Sequence, residues 1–260
     1  MTETQDYTLT EMMICAAARL FRDETTCFIG TGIPMLAVSL AQRLHAPHTM
    51  PVFEFGAMGA LLEDLPRAVG EARTFHKALS AAGICDVMET AQRGFIDYGF
   101  LGGAQIDPYG NLNTTIIGPQ YYPPKVRLPG SGGGNDVGSL CWETIAIMRH
   151  DKRRFVPRVD FITTPGYLDG PGARERAGLP RGSGPTYVVS SLALMGYDRG
   201  EGGTYRMTLE ALNPGVTVGQ VVENTGFELI MRGEVPTLDP PTAQELRLLR
   251  EEIDPHRFYI

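Results

Sequence analysis

The stretch from Thr25 to Gly56 constrains the fold more than any other. Two short apolar runs, "TTCFI" and "MPVFE", flank "PMLAVSLAQRL", whose apolar residues recur at helical spacing. The first run ends at Gly30, and Pro34 opens the helix, where its missing N–H has no partner to lose. Strand, glycine turn, helix and strand in that order predict the start of an open α/β sheet.

The alternation continues on both sides. Residues 8–21 read as an amphipathic helix with a Thr8–Glu11 capping box and Met12, Ala16 and Leu20 on one face. Residues 74–93 read as a helix broken at Gly83, and "IDYGFLGG" as a strand closed by Gly102 and Gly103. From Thr114 onward strand signals dominate, in "TTII", "ETIAIM", "RVDFIT", "TYVVSSLAL" and "YRMTLEAL". A helix is expected near Val218, and another after Pro240 and Pro241 with Leu246, Leu249 and Ile253 inside. The expected fold class is α/β: an open, mostly parallel sheet flanked by helices with a strand-rich extension. The 260 residues fit one domain, 1–260.

Composition narrows the function. A net charge of -7 argues against nucleic-acid binding, which needs a basic footprint. No apolar run approaches the ~18 residues of a membrane helix. The amino-terminal "MTETQDYTLTEMM" has no cationic region of the kind a signal peptide carries. Cys15, Cys27, Cys85 and Cys141 are scattered and read as reduced core residues of a cytoplasmic protein. No metal site is expected, because His45 and His48 are separated by Pro47 and zinc spacings are absent. "LPGSGGG" fails as a nucleophile elbow because Pro129 holds the first glycine position, leaving Ser131 as a turn residue. "RHDKRRFVPR" (149–158) reads first as a solvated positive turn and second as a phosphate contact. The Gly-, Pro- and Arg-rich stretch 164–185 reads as a surface loop, of a length that is uncommon unless it binds something.

The candidate chemistry centres on Glu54, a single acid inside "MPVFEFGAMG". An unpaired buried carboxylate is expensive, so Glu54 either reaches solvent, holds a ligand or attacks one. Gly30 and Gly32 with Glu54 fit part of a dinucleotide fingerprint, but Met35 occupies the third glycine position, so a nucleotide-binding reading stays open. "LPGSGGGNDVG" packs Gly130, Gly132, Gly133 and Gly134 ahead of Asn135, a run suited to an anion nest or oxyanion hole. Gly102 and Gly103 end another strand, and carboxyl ends of such strands converge on ligands. Glu54, Gly102–Gly103 and Gly132–Gly134 are therefore expected in one pocket.

These segments resemble the beta (B-type) chain of class I CoA-transferases, in the glutaconate and 3-oxoadipate branch. The likeness rests on "CFIGTGIPMLAVSLAQRLHAP", "YGFLGGAQIDPYGNLNTTIIG", "KVRLPGSGGGNDVGS" and "NPGVTVGQVVENTGFEL", in that order. The family's catalytic glutamate sits in E-x-G-x-x-G, which "EFGAMG" matches, so the resemblance makes Glu54 the nucleophile. It implies a glutamyl-CoA thioester, coenzyme A as co-substrate and covalent intermediate with no permanently bound cofactor, and acyl-CoA plus a dicarboxylic or 3-oxo acid as substrates. It also implies a separate alpha (A-type) partner chain in a hetero-oligomer. Phe53, Phe55 and Gly56 would shape the pocket, with Phe53, Phe55 and Met58 excluding water. Phe55 departs from the family's usual Ser or Asn after the glutamate, which points to a reshaped substrate pocket. The alternatives are a hydrolase subunit of the steroid-degradation type, which lacks the glutamate, a nucleotide-binding protein, and a non-catalytic partner subunit.

Overall fold

In a computed structural model of the chain, residues 6–260 are described. The first residues of the amino-terminal stretch read above lie outside them. The chain clusters into two compact units, one running to Phe100 and including Leu238–Ile260, the other Leu101–Thr237. The fold is α/β, with helices flanking a mixed sheet.

In the first unit, α1 (Leu9–Ala18) begins at the expected cap, with the Glu11 N–H donating to Thr8 Oγ1 at 3.1 Å. Then come β1 (Thr26–Phe28), α2 (Ile33–Leu44), β2 (Met50–Val52), β3 (Ala57–Met58), β4 (Ser80–Ala81), α3 (Ile84–Gln92) and β5 (Tyr98–Leu101). β1 pairs in parallel with β2 and β5, while β3 pairs antiparallel with β2 and β4. Both α1 and α2 are buried on nearly every side, Met35 to Ala41 without interruption, so they belong to the interior rather than to an amphipathic surface. The carboxyl-terminal helical segment covers them and buries Leu246, Leu249 and Ile253, as their spacing predicts. Two ion pairs fix it there: Arg250 on Glu11 and Arg19 on Glu245. Burial opposes ionisation of both acids, yet the guanidinium and capping bonds hold both carboxyls below their ordinary range.

Two expectations for this unit fail. Residues 74–93 are not one interrupted helix. A short 3-10 turn at Ala72–Phe75 is followed by the edge strand β4, and only α3 is α-helical. The Leu79 and Ala82 N–H groups donate across to Met58 O and Gly56 O, at 2.9 and 3.0 Å, which satisfies the backbone as sheet. Gly83 starts the helix: its N–H donates to the Asp86 carboxylate at 2.8 Å. Cys85, read as a core residue, is exposed because it lies on the outer face of α3, whereas Cys15, Cys27 and Cys141 are buried.

The second unit opens with two small hairpins, β6 (Gln105–Ile106) with β7 (Leu112–Asn113) and β8 (Ile116–Ile117) with β9 (Val126–Arg127). α4 (Gly134–Leu140), β10 (Glu143–Met148), α5 (Ala173–Arg176) and β11 (Gly184–Ser190) follow, then β12 (Ala193–Tyr197), β13 (Met207–Leu212) and α6 (Val218–Glu223). β10 and β11 are parallel, and β12 and β13 add the antiparallel, strand-rich extension. Ile106, Met148, Phe155, Val188, Met195 and Leu209 share its core. "RVDFIT" forms no strand. Side chains pin it instead: the Gly118 N–H and the Gln105 side-chain amide donate to the Asp160 carboxylate.

Candidate functional site

Glu54 stands on the turn that links β2 to β3. The Phe53 N–H donates to Ala57 O at 2.8 Å and the Gly56 N–H to Phe53 O at 3.0 Å, making Glu54 and Phe55 the two central residues of a tight turn. β2 is held against β1 by parallel pairing, extended by the Ile29 N–H donating to Val52 O at 3.0 Å. The turn therefore leaves the carboxyl end of a buried strand beside Gly30 and Gly32, whose loop opens α2. Gly56 has φ +114°, and an added Cβ would sit 2.0 Å from Ala82 O, so neither conformation nor space admits a side chain.

The side chains around the turn diverge. Phe53 is fully buried, whereas Phe55 is 43% exposed and leans over Gly70. Met58 is half-buried. Glu54 itself is half-buried and makes no hydrogen bond or ion pair among the described residues. Its position is set by the backbone hydrogen bonds of the turn and not by a side-chain partner.

The two glycine loops belong to the second unit. Gly102 and Gly103 follow β5, and the Ala104 N–H donates to Asn113 O at 2.9 Å, tying the turn to β7. At Gly103 a Cβ would press to 3.2 Å on both Gln105 O and the Leu112 side chain. In the second loop, the Gly130 N–H donates to Thr114 O at 2.8 Å and the Gly134 N–H to Ser131 O at 2.9 Å, so Ser131 is the turn residue its sequence context predicts. The N–H groups of Gly132 and Gly133 donate to no protein atom among the described residues. Asn135 is exposed in the first turn of α4. Thr164 ties the second loop to β7: its Oγ1 donates to Gly134 O at 3.0 Å, while its own carbonyl accepts from Leu112 N–H at 3.0 Å.

Three arrangements escaped the sequence reading. Asp107 and Asn111, inside "IDPYGNLN", form a buried knot in which the Asn111 side-chain amide and the Tyr109 and Asn111 N–H groups donate to the Asp107 carboxylate. Burial pushes that carboxyl up to about 6 despite those donors. The D-P-x-G turn pattern could have exposed it. His150, counted in the basic cluster, is buried flat against Phe155 at 3.8 Å, with Nδ1 on Ser190 Oγ and Nε2 on Thr225 Oγ1. Burial lowers its pKa to about 4, so it is neutral at pH 7. The rest of that cluster is the solvated turn expected, with Arg154 paired to Asp151. The third is Arg174, 2% exposed, which no local pattern announced. Among the described residues no group of His, Cys, Asp and Glu could hold a metal ion, and no helix is long and apolar enough to cross a membrane.

Strands that end in glycine turns, one of them carrying the half-buried Glu54, are the features this α/β chain offers for comparison. Residues 10–224 match the family described as coenzyme A transferase, and the chain belongs to that family. It is similar to the B-type chain of glutaconate CoA-transferase from Acidaminococcus fermentans, with 38% identity over 266 residues covering 100% of this chain and 97% of that protein. The crystal structure of that glutaconate coenzyme A-transferase superimposes with a TM-score of 0.92 at 37% identity, covering 98% of both chains. The B-type chain of 3-oxoadipate CoA-transferase from Pseudomonas knackmussii is 38% identical over 245 residues, 94% of this chain and 92% of its own. The cholesterol ring-cleaving hydrolase IpdB subunit of Rhodococcus jostii is 29% identical over 230 residues, 86% of this chain and 82% of its own. The chain is accordingly an enzyme of the transferase class.

Proposed function

We propose that this chain is the catalytic B-type component of a two-component CoA-transferase acting on a dicarboxylic or 3-oxo acid, with Glu54 as nucleophile. The observation that carries the reading is Glu54 itself: half-buried, unpartnered and set by backbone bonds at the tip of the β2–β3 turn. One Glu54 carboxylate oxygen attacks the thioester carbonyl of an acyl-CoA and expels CoA thiolate, leaving a mixed anhydride. The thiolate then attacks the glutamyl carbonyl, the first acid departs, and a glutamyl-CoA thioester remains. An acceptor carboxylate runs the same steps in reverse, so the thioester's energy passes to the new acyl-CoA. The unpartnered N–H groups of Gly132 and Gly133 are the donors the glycine loop offers to substrate oxygen, an interaction typically worth about 3 kcal/mol per donor in such reactions. Coenzyme A enters as co-substrate, and the names of the B-type relatives support an A-type partner in a hetero-oligomer.

A hydrolase reading is supported by the IpdB likeness alone, at lower identity. Retention of Glu54 favours transfer over it. The nucleotide-binding reading rested on Gly30, Gly32 and Glu54, but the chain turns back into β3 directly after Glu54.

The test is to incubate the chain, co-expressed with its A-type partner, with acyl-CoA and to search for CoA bound to Glu54 by peptide mass spectrometry. The adduct is expected in the wild type and absent from Glu54→Gln, with transferase kcat lowered at least about a thousandfold. Full turnover by Glu54→Gln would sink the assignment.

A further inference from the structure

We propose that a cleft in the second unit, lined by Tyr167, Glu175, Arg181, Ser183, Arg199 and Tyr205, binds a small oxyanion carrying two negative charges. The cleft has a volume of about 520 Å3. Its walls are the glycine- and proline-rich segment 164–185 and the turn that follows β12. None of the lining residues belongs to the chemistry assigned above, so the proposal stands apart from that reading.

Arg174 adjoins the cleft through Ser183. Its Nη1 donates to Pro165 O at 2.9 Å and Gly166 O at 2.8 Å, and its Nη2 to Gly138 O at 3.1 Å and Ser183 Oγ at 2.9 Å. Every one of these acceptors is neutral, and Nε has no hydrogen-bond partner among the described residues. Burial lowers the pKa of this guanidinium, the direction expected of a desolvated cation without a bonded carboxylate. The charge of Glu175 opposes that shift without an ion pair to Arg174, and the field of a buried cation is weakly screened toward the nearest polar space.

That space already holds two more guanidiniums. Arg181 and Arg199 are exposed at the cleft and enter no ion pair among the described residues. The charge of Arg199 acts on the Tyr167 phenol, opposing the upward pKa push of burial, while the Tyr167 hydroxyl donates to Pro185 O at 2.7 Å. Tyr205 meets the Tyr167 ring edge-on at 4.9 Å, forming an apolar wall. Glu175 is the one carboxylate on the lining. Three cations against one acid, in a chain of net charge -7, leave a local excess that a dianion neutralises. Guanidinium forks suit carboxylate and phosphate oxygens alike. The shared chemistry is thus a dianionic oxyanion, supplied either as phosphate or as a dicarboxylate.

Calorimetric titration of the full chain with inorganic phosphate and, separately, with succinate decides the matter. At least one anion is expected to bind saturably, more weakly as salt rises, and at least about tenfold more weakly to Arg181→Gln/Arg199→Gln. Arginine-dependent binding of phosphate alone identifies the phosphate source, and of succinate alone the dicarboxylate source. Equal melting temperatures for wild type and variant separate lost binding from lost folding. The single variants, each expected to lose part of the affinity, replace the double one if it melts early. No saturable binding of either anion, or binding unchanged in folded arginine variants, overturns the proposal.

Discussion

At Gly56 an added Cβ would stand 2.0 Å from the Ala82 carbonyl oxygen, whereas at Gly130 and Gly132 it would meet nothing within 4 Å. Both regions are glycine turns, and both use positive φ. The first is a turn locked from outside, with β4 pressed against it so that one side chain, Glu54, is held in place. The second is open on its outer side, with its ends tied down by Gly130 and Gly134 and its middle N–H groups left over. One turn carries a carboxylate at its tip, and the other leaves the N–H groups of Gly132 and Gly133 without protein partners among the described residues. A glycine can therefore mark a packing constraint or a surface for approach, and only the neighbouring atoms tell which.

The sharpest way to break this comparison is Gly56→Ala. The collision with Ala82 O and the φ of +114° together are expected to destabilise the chain by about 3 kcal/mol or more, or to prevent folding, as read by urea denaturation. Stability within about 1 kcal/mol of wild type would show that β4 moves aside and that the turn is not locked.

The matching change in the open loop, Gly132→Ala, introduces a left-handed residue at φ +47° with free space around it. Its expected stability cost is about 1 kcal/mol. Its expected catalytic effect is larger, roughly tenfold or more in kcat/KM, because a methyl group would stand where a ligand approaches the N–H groups. Unchanged kinetics in a folded Gly132→Ala protein would remove this loop from the site.

A separate expected effect concerns pH and the interior of the second unit. His150 has its folded pKa lowered from 6.5 to about 4 by burial, so the fold favours the neutral ring. Its contribution is fully present above the unfolded value of 6.5 and declines as pH falls toward about 4, because the unfolded chain then binds the additional proton. The stability advantage of wild type over His150→Gln should shrink by about 3 kcal/mol across that window. Asp107 runs the other way. With its pKa raised from 3.8 to about 6, its stabilising contribution is present below 3.8 and lost as pH rises through about 6. Wild-type stability should thus vary less between these limits than either single variant, Asp107→Asn or His150→Gln, in denaturation curves at stepped pH.

Much of the architecture was legible because its signals are local. The Thr8–Glu11 capping box and the proline at the start of α2 involve residues only a few positions apart. The spacing of Leu246, Leu249 and Ile253 likewise identified a buried face without knowledge of what covers it. The mistaken helix at 74–93 shows the limit. Periodicity there could not register that Leu79 and Ala82 have sheet partners about twenty residues upstream.

The sequence by itself determined the α/β order of elements, the glycine turn beneath Glu54 and the motifs that mark the coenzyme A transferase family. Tertiary structure alone decided which groups lack partners. Arg174 reads as one arginine among several in "GPGARERAG", yet it is buried because Gly138, Pro165, Gly166 and Ser183 bring their oxygens around it. Local patterning fixes how backbone groups nearby in the chain pair with one another. The environment of a charge depends on segments that meet only after the chain has folded, and that information is spread across distances no short motif spans.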